Sequence, residues 1–502
     1  MQSLKEIFEP EFIGMNNRDS AEVLGPGFLA LAQGCLLGTG EIINGPGTDM
    51  IFDLLSDNKI LGGISTNSEI YVACNEPGDS LAFIYRFTDD GEPVVVSGAN
   101  LTADKKVEFV NAGTAVYVMN GTDAMGKLVG DVYTTVAGAP VANFGAWLNN
   151  RLYALTTASR LWYSNANDPD TFGGSDYIDI FPSQKSPATA LSTLGGVLVI
   201  GKQDNIITFN GFTTDDFTVK SLTEAMPNYG ITSHRSVVNT GDDLYFMSFA
   251  GDVPHIRSLV RTSFDKLNFG GTISGVMEGT LKNVNKARLS EVAGGFDGRY
   301  MWWSMPSTVS LTNDIVICKD TFRREADQGW TIHDEMNASV FLRSEVEGND
   351  ELYFGTDDDS KVYKINKTTS IRDNDDINFE VRSRAYRPAG WKKSKFKYLY
   401  VTTGANTDAT IQVDGSPDGY TFEDQGSLNP SIAISTFPIT FPSALGETSD
   451  KKNRIDLKGN TNAYSYQYKI TKSTDYTPGT DPNIVIKEWS TLFYPRGLRD
   501  AK

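Results

Sequence analysis

Side chains that could carry out hydrolysis or hold a metal ion are few and scattered along the sequence. The 502 residues include three histidines, His234, His255 and His333. His333 precedes Asp334 and Glu335, but a zinc protease needs a second histidine one helical turn away, and the sequence has none there. We interpret this stretch as an exposed loop. Because the sequence also lacks a nucleophile elbow and a phosphate-binding loop, we predict no enzymatic activity, no catalytic residue, no metal site and no cofactor.

Aspartate-rich turns are the next candidates for a metal site. Residues 357–359 and 373–376 are rich in aspartate. A calcium loop needs spaced oxygen ligands and a closing bidentate glutamate, and neither stretch has the full pattern, so tight hairpin turns explain them more simply. Residues 416–422, Ser-Pro-Asp-Gly-Tyr-Thr-Phe, are one residue shorter than the Asp-box of sialidase-like propellers and occur once. We predict a hairpin with an Asp-Gly turn there.

One basic stretch stands out from an acidic chain. The sequence holds 45 Lys and Arg against 63 Asp and Glu, a formal net charge of −18, which argues against a protein that grips nucleic acid through its phosphates. Seven basic residues and no acid nevertheless lie within positions 382–397, namely Arg382, Arg384, Arg387, Lys392, Lys393, Lys395 and Lys397. They form either a solvated face or a surface that docks on an acidic partner, where such charges would set orientation and association rate. DNA contact is a further possibility, which would have to overcome the negative net charge.

The elements that position these residues are predicted to be β-strands. Short apolar runs alternate with Asn, Asp and Gly, which is typical of antiparallel hairpins. Examples are residues 152–155 with 161–163, 197–200 with 206–209, and 352–354 with 362–365. One marker residue per run recurs every 36 to 55 residues, at Tyr71, Tyr117, Tyr153, Val199, Tyr245, Tyr300 and Tyr353. Four-stranded propeller blades produce a period of roughly 40–50 residues.

We therefore predict an all-β chain in three parts. Residues 1–25 form an N-terminal arm, residues 26–370 a β-propeller of about seven blades, and residues 371–502 a C-terminal antiparallel β-sandwich. A row of β-sandwich domains is the main competing interpretation. In the C-terminal part we expect strands at 396–402, 410–413, 433–437, 465–472, 484–488 and 492–494.

Cysteine usage and the N-terminal sequence predict a cytoplasmic origin. Cys35, Cys74 and Cys318 are too few and too far apart for a disulfide framework, so we expect buried, free thiols. The opening MQSLKEIFEPEF lacks the apolar run of a signal peptide. Apolar runs also fall far short of the roughly 20 residues that a membrane helix needs, and we predict no membrane insertion.

The N-terminal motif carries a resemblance to a known family. Phe12-Ile-Gly-Met-Asn-Asn17-Arg18-Asp-Ser, followed by Leu-Gly-Pro-Gly at 24–27, resembles the opening of the tail nozzle proteins of short-tailed bacteriophages, also called packaged-DNA stabilisation or stopper proteins. Residues 494–499, Tyr-Pro-Arg-Gly-Leu-Arg, resemble their terminal strand. Such chains combine a propeller with a sandwich, in agreement with the predicted fold.

The resemblance implies a structural role in the virion. Nozzle proteins form a six-fold ring that extends the DNA channel of the portal and its adaptor and retains packaged DNA until ejection. The expected partners are further copies of the chain, the portal–adaptor complex and distal tail or fibre proteins, and DNA would pass without specific binding. We expect assembly in the host cytoplasm and a final location in the virion tail. Phe12, Asn17 and Arg18 join the basic stretch as candidate interface residues.

Two other functions remain open from the sequence. A propeller-type glycan-binding tail protein could stack a sugar on Trp302 or Trp303, of which strand alternation lets only one face outward. A peptide-binding scaffold propeller without a phage context is the third possibility. Carbohydrate binding would favour the glycan-binding protein, whereas hexameric rings would favour the nozzle.

Overall fold

The computed structural model describes residues 4–495 with internal gaps. The gaps are residues 55–58, 67–68, 76–79, 88–92, 182–185, 211–222, 262–266, 335, 347–348, 357–359, 370, 373–374, 389–392, 405–406, 408, 430–449, 459–461 and 473–482. Regular structure in the described part is almost entirely β-strand. Its helices are α1 (Glu278–Leu281) and three 3-10 helices, His234–Ser236, Gly275–Met277 and Lys286–Glu291. None of these described helices is long and apolar enough to cross a membrane.

The first fifty residues contribute strands to more than one sheet. They form β1 (Lys5–Glu9), β2 (Gly14–Met15), β3 (Phe28–Gln33), β4 (Cys35–Leu37), β5 (Ile42–Asn44) and β6 (Gly47–Asp53). The first five strands pair within the C-terminal sheets, whereas β6 joins the propeller. The N-terminal segment therefore connects both parts of the fold.

Consecutive antiparallel sheets of the described chain form seven propeller blades. Blade 1 contains β7 (Ile60–Thr66), β8 (Glu69–Asn75), β9 (Leu81–Phe87), β10 (Val94–Val95) and β11 (Leu101–Thr102). Blade 2 contains β12 (Glu108–Asn111), β13 (Val116–Met119), β14 (Gly126–Val129) and β15 (Val132–Thr135). Blade 3 contains β16 (Phe144–Leu148), β17 (Arg151–Leu155), β18 (Arg160–Tyr163) and β19 (Tyr177–Asp179).

The remaining blades follow the same order. Blade 4 contains β20 (Ala188–Leu194), β21 (Val197–Lys202), β22 (Asn205–Phe209) and β23 (Thr223–Pro227). Blade 5 contains β24 (Val238–Asn239), β25 (Asp243–Phe249), β26 (Pro254–Arg261) and β27 (Leu267–Thr272). Blade 6 contains β28 (Ala293–Phe296), β29 (Tyr300–Pro306), β30 (Asn313–Asp320) and β31 (Trp330–His333). Blade 7 contains β32 (Ala338–Val346), β33 (Asn349–Thr356) and β34 (Lys361–Asn366).

The blades close into a ring. The first strand of each blade contacts those of its neighbours, with the 3-10 helix before β24 touching both β20 and β28, and β32 of blade 7 contacts β7 of blade 1. The outermost strand of blade 7 is β6, which pairs antiparallel with β34. Closing the last blade with an N-terminal strand ties the two ends of the ring together and leaves no open first or last blade.

The predicted repeat is confirmed by this topology. Each of the seven marker residues lies on the second strand of a different blade, from Tyr71 on β8 to Tyr353 on β33. These strands read as apolar runs because neighbouring blades cover both of their faces, as in β29, which is buried along its whole length. The three predicted hairpins also form, as β17–β18, β21–β22 and β33–β34.

All but the first two of the C-terminal strands build a sandwich around one core. The C-terminal strands are β35 (Ile371–Arg372), β36 (Asp375–Asp376), β37 (Glu380–Ser383), β38 (Ser394–Thr403), β39 (Ile411–Ser416), β40 (Glu423–Leu428), β41 (Lys451–Asp456), β42 (Asn462–Ala463), β43 (Gln467–Lys472) and β44 (Val485–Pro495). One sheet has the order β40-β39-β43-β37-β3, and the other has β41-β38-β44-β5-β4 with β1 also on β44. β35 and β36 extend the blade 7 sheet beside β6.

Strand pairing differs from the sequence prediction at three points. β35 and β36, placed in the predicted sandwich, pair beside β6 in the blade 7 sheet. Residues 28–44, placed in the predicted propeller, pair with C-terminal strands through β3, β4 and β5. The strands expected at 484–488 and 492–494 are one strand, β44, because β38 pairs along its whole length. The strand expected at 433–437 lies outside the described residues.

Blade 6 and the sandwich share a sheet and a core. β3 pairs with β31 of blade 6 through Gln33 and Ile332 and with β37 on its other side. Trp303 and Trp330 of blade 6 belong to the same buried cluster as Phe12 and Trp489 of the sandwich. The propeller and the sandwich are therefore packed together through blade 6 rather than joined by a single strand of chain.

Candidate interaction surface

The predicted basic stretch divides into two groups with different surroundings. Its three arginines pair with carboxylates of the same chain, Arg382 with Glu380 (2.5 Å), Arg384 with Glu9 (2.6 Å) and Arg387 with Glu22. Glu9 is buried and also accepts a hydrogen bond from the Gly27 backbone N–H at 2.8 Å. Two of the arginines thus hold the N-terminal arm against the sandwich.

The lysines of the stretch lie at or on the outward face of a sandwich sheet. Lys393 and Lys395 are exposed and Lys397 is half-buried, whereas Lys392 lies outside the described residues. β38 buries Phe396 and then, after a register shift between Phe396 and Tyr398, Leu399 and Val401. Tyr398 and Tyr400 therefore point to the other side.

The register of the sheet adds residues from two distant strands to this face. Tyr400 is the cross-strand partner of Arg454, and Thr402 is the partner of Lys452. Lys395 is the partner of Tyr494 on β44. Cross-strand partners direct their side chains to the same face. We call the resulting surface the tyrosine–lysine face, which comprises Lys395, Lys397, Tyr398, Tyr400, Lys452, Arg454 and Tyr494.

Cations cover the tyrosine rings of this face. The Nζ atom of Lys397 lies 4.8 Å from the ring centroid of Tyr398 and 5.7 Å from that of Tyr494. The Arg454 guanidinium lies 5.1 Å from the Tyr398 ring, and the Lys452 Nζ lies 5.1 Å from the Tyr400 ring. A hydrogen bond with Tyr398 raises the pKa of Lys397. The face therefore presents positive charge held in place by aromatic rings.

The face is positive although acids lie on it and beside it. Asp456, the cross-strand partner of Tyr398, lies on the face and pairs with Arg454 at 3.3 Å. Glu488 accepts a hydrogen bond from the Thr402 hydroxyl at 2.8 Å. The face thus holds four cations and one acid. Sequence reasoning missed Lys452 and Arg454 because they are more than fifty residues from Lys397 in the chain. Only the pairing of β41 with β38 brings them together.

The other predicted interface residues lie at the junction between sandwich and propeller. Phe12 is 1% exposed and packs edge-on against Trp489 at 4.5 Å between ring centroids, so its side chain belongs to the core. Asn17 donates to the Thr280 hydroxyl at 2.6 Å and accepts from the Gly279 N–H at 3.0 Å. Both partners lie on α1, which precedes blade 6. Arg18 is exposed and pairs with the neighbouring Asp19 at 3.1 Å.

The interpretation of His333 as part of an exposed loop is wrong. His333 ends β31 and is buried, with its Nδ1 atom 3.1 Å from the Arg372 guanidinium. Burial and the nearby Arg372 charge hold the pKa of His333 well below its usual value. Asp334 accepts hydrogen bonds from Gln33 at 2.9 Å and Asn378 at 3.0 Å, and Glu335 lies outside the described residues. The strand is enclosed because β3 continues the sheet beside it.

Neither tryptophan offered as a sugar-stacking residue is exposed. Trp302 and Trp303 are both 0% exposed, which corrects the expectation that one of them faces outward. Alternation fails here because adjacent blades cover both faces of β29. The indole N–H of Trp302 donates to Asp297 at 3.1 Å, and that of Trp303 donates to the Ser236 carbonyl at 3.0 Å.

The remaining sequence motifs have structural roles or fall in gaps. Residues 416–422 form the predicted hairpin between β39 and β40, in which Asp418 accepts from the Tyr420 and Thr421 N–H groups. The cysteines are buried and free as predicted. Residues 357–359 and 373–374 lie outside the described part, and Asp375 and Asp376 form β36. Among described residues, His, Cys, Asp and Glu form no group of three that could hold a metal ion.

Side chains cross the centre of the propeller and connect its blades. His234 contacts Glu108 of blade 2 at 2.8 Å and accepts from the Leu191 N–H of blade 4 at 3.3 Å. The neighbouring Arg235 donates to carbonyls of blades 1 and 7. Lys106 pairs with Glu291 at 3.0 Å beside a cavity of about 290 Å³. These side chains link opposite blades through the channel.

Comparisons with known proteins identify no family for this chain. No protein-family model matches the chain, and no curated protein matches it. Among solved structures, a chain of the mitotic checkpoint complex is 11% identical with a TM-score of 0.40, covering 64% of this chain and 93% of its own. The WD40 domain of Toxoplasma gondii coronin is 7% identical with a TM-score of 0.39, covering 75% and 89%. The propeller assignment therefore rests on the strand pairing described above.

Proposed function

We propose that this chain is a non-enzymatic structural protein of a phage virion, a ring-forming tail nozzle that extends the portal–adaptor channel and retains packaged DNA until ejection. The proposal starts from the resemblance of residues 12–20 and 494–499 to nozzle proteins. Its partners would be further copies of the chain, the portal–adaptor complex and distal tail proteins. An acidic channel wall would let DNA pass without the counterion-release affinity that clustered cations create.

The observation that supports the proposal best is the location of the N-terminal motif. Gly14 belongs to β2, and a Cβ atom at this position would lie 3.1 Å from the backbone nitrogen of Gly329 in blade 6. The Gly329 N–H donates to the Ile13 carbonyl at 2.7 Å. Asn16 accepts from the N–H groups of Arg18 and Asp19, and Asn17 binds α1. The resembling residues thus fasten the sandwich to the propeller.

A fastened junction suits a ring subunit that resists pressure from packaged DNA. Cyclic assembly repeats one contact between neighbouring copies, and internal movement within a subunit would spread to every contact. The shared core of blade 6 and the sandwich limits such movement because Trp303, Trp330, Phe12 and Trp489 pack in one cluster.

The test is electron microscopy of the purified chain, alone and mixed with the portal–adaptor complex of its phage. We expect six-fold rings, or a six-fold extension on the adaptor. Monomers that ignore the adaptor would overturn the proposal, and a glycan-binding screen of the same preparation would then test the carbohydrate-binding alternative.

A matched pair of variants links this assembly to the motif. Gly14→Ala places a methyl group against the Gly329 backbone, whereas Gly25→Ala finds its nearest neighbour atom at 3.8 Å. We expect Gly14→Ala to reduce ring occupancy on the adaptor and Gly25→Ala to leave it unchanged. Equal occupancy for the two variants would show that ring assembly does not depend on the close approach of Gly14 to the Gly329 backbone.

A further inference from the structure

The tyrosine–lysine face is positive in a chain whose formal net charge is −18. We infer that this face docks on an acidic surface of a second copy of this chain. The inference rests on the self-assembly in the proposed function and names the surface and the kind of contact. It is carried by the four cations that β38 and β41 gather on one side of the sheet.

The cations of the face are accessible to a partner. Lys395 and Lys452 are exposed, and the side chain of Arg454 is 54% exposed. The opposite side of the same sheet packs into the sandwich core through residues such as Phe396 and Leu399. Carboxylates of the chain pair with all three arginines of the basic stretch, and Asp456 pairs with Arg454 of the face, so Lys395 and Lys452 are the more accessible charges.

Charge complementarity favours another copy as the occupant. With 63 acidic against 45 basic residues, the chain outside this face is even more acidic than its net charge indicates. A second copy therefore offers this face an excess of acidic over basic side chains. Two tyrosine–lysine faces would repel each other, so the contact joins different surfaces of the two copies. Such a heterologous contact builds rings or filaments rather than a two-fold dimer.

The covered rings disfavour nucleic acid or sugar as the ligand. Bases and sugars bind aromatic residues by stacking on free ring faces. Here Lys397 and Arg454 lie over the Tyr398 ring, and Lys452 lies over the Tyr400 ring. The rings instead position the cations, which lowers the conformational entropy lost when they meet carboxylates. Tyrosine and arginine are also enriched in protein–protein interfaces.

A triple charge reversal tests the inference. We would compare wild type with Lys395→Glu/Lys452→Glu/Arg454→Glu and with a control of equal charge change, Lys105→Glu/Lys286→Glu/Arg324→Glu, which alters exposed propeller residues. Self-association would be measured by sedimentation velocity at rising NaCl concentration, ring formation by electron microscopy with and without the adaptor, and folding by thermal unfolding. We expect the face variant to associate at least tenfold more weakly while remaining folded, and the control to match wild type.

Each outcome separates the inference from the proposed function. Wild-type rings that also form with the face variant would overturn the inference and leave the nozzle proposal standing. Salt-sensitive association without six-fold rings, abolished in the face variant, would support the inference and overturn the nozzle proposal. A wild-type chain that stays monomeric under all conditions would overturn both. A face variant that loses binding to single-stranded DNA but associates like wild type would show a nucleic-acid surface instead and overturn the inference.

Discussion

The junction between propeller and sandwich and the tyrosine–lysine face use charge in opposite ways. At the junction, Arg384 pairs with the buried Glu9 and binds the N-terminal arm to the sandwich. On the face, Lys395 and Lys452 are exposed. Lys452 lies over the Tyr400 ring, and Lys395 is the cross-strand partner of Tyr494. Ion pairs with one buried partner are costly to break, whereas exposed cations contribute little to folding. The comparison teaches that the first region maintains the fold, and the second is available for binding.

Breaking the junction pair gives the largest expected difference. Arg384→Ala leaves the buried Glu9 carboxylate without its cation, and we expect a loss of about 2–4 kcal/mol in the free energy of unfolding. Lys395→Ala removes an exposed charge and should change it by less than about 0.5 kcal/mol. Urea unfolding monitored by tryptophan fluorescence measures both. If the two variants lose the same stability, the contrast between junction and face fails.

Acidification should lower the free energy of unfolding through His333, which is buried where blade 6 meets the sandwich. Its folded pKa lies well below the unfolded value near 6.5, so the unfolded state binds more protons as the pH falls. The stabilisation is therefore present above the unfolded pKa and is lost as the pH falls below it. Urea unfolding at pH 7.5 and pH 5 measures this loss. His333→Gln should show a smaller drop, and an identical pH dependence would assign it to other groups.

The N-terminal motif offers a smaller test. Asn17→Ala removes two hydrogen bonds to α1, one from each end of the amide, and we expect a loss of about 1–2 kcal/mol. Arg18→Ala, the neighbouring and exposed position, should cost at most about 0.5 kcal/mol because its partner is the adjacent surface residue Asp19. Thermal unfolding ranks the two variants, and the reverse order would contradict the assignment of Asn17 to the junction.

Within the face we expect the smallest effect on stability. Lys397→Met removes a cation from the Tyr398 and Tyr494 rings, and exposed cation–π contacts are worth about 0.5–1 kcal/mol. Urea unfolding should show a loss in that range, with Lys395→Met, an exposed lysine on the same strand, as the control. A loss above 2 kcal/mol would make the face part of the stabilising structure and weaken its role as a docking surface.

The propeller was predictable because each blade contains one strand with the same sequence pattern. The second strand of every blade is covered on both faces and reads as an apolar run, as around Tyr153 and Val199. The residues at which the propeller begins and ends could not be predicted from such a pattern. β3, Phe-Leu-Ala-Leu-Ala-Gln, would suit a blade or a sandwich equally, and only its pairing with β37 decides.

Only part of the candidate interaction surface could be predicted from the sequence. The basic stretch is visible as composition, but its division depends on carboxylates at Glu9 and Glu22 and on the register of β41, all distant in sequence. Trp302 and Trp303 were misjudged because alternation assumes one solvated face, and a strand between two blades has none. Such facts belong to tertiary packing and leave no local sequence signal.

The closure of blade 7 by β6 also means that this blade can be completed only late in synthesis. β6 leaves the ribosome with the first 53 residues, but β34, its partner, ends only at Asn366. β1 waits longer still, until β44 has been made. The growing chain must therefore carry unpaired N-terminal strands while blades 1 to 6 form, and such delayed long-range pairing slows folding and exposes edges to misassembly. The pairing of β6 with β34 and of β1 with β44 is thus a late event that joins segments far apart in the sequence.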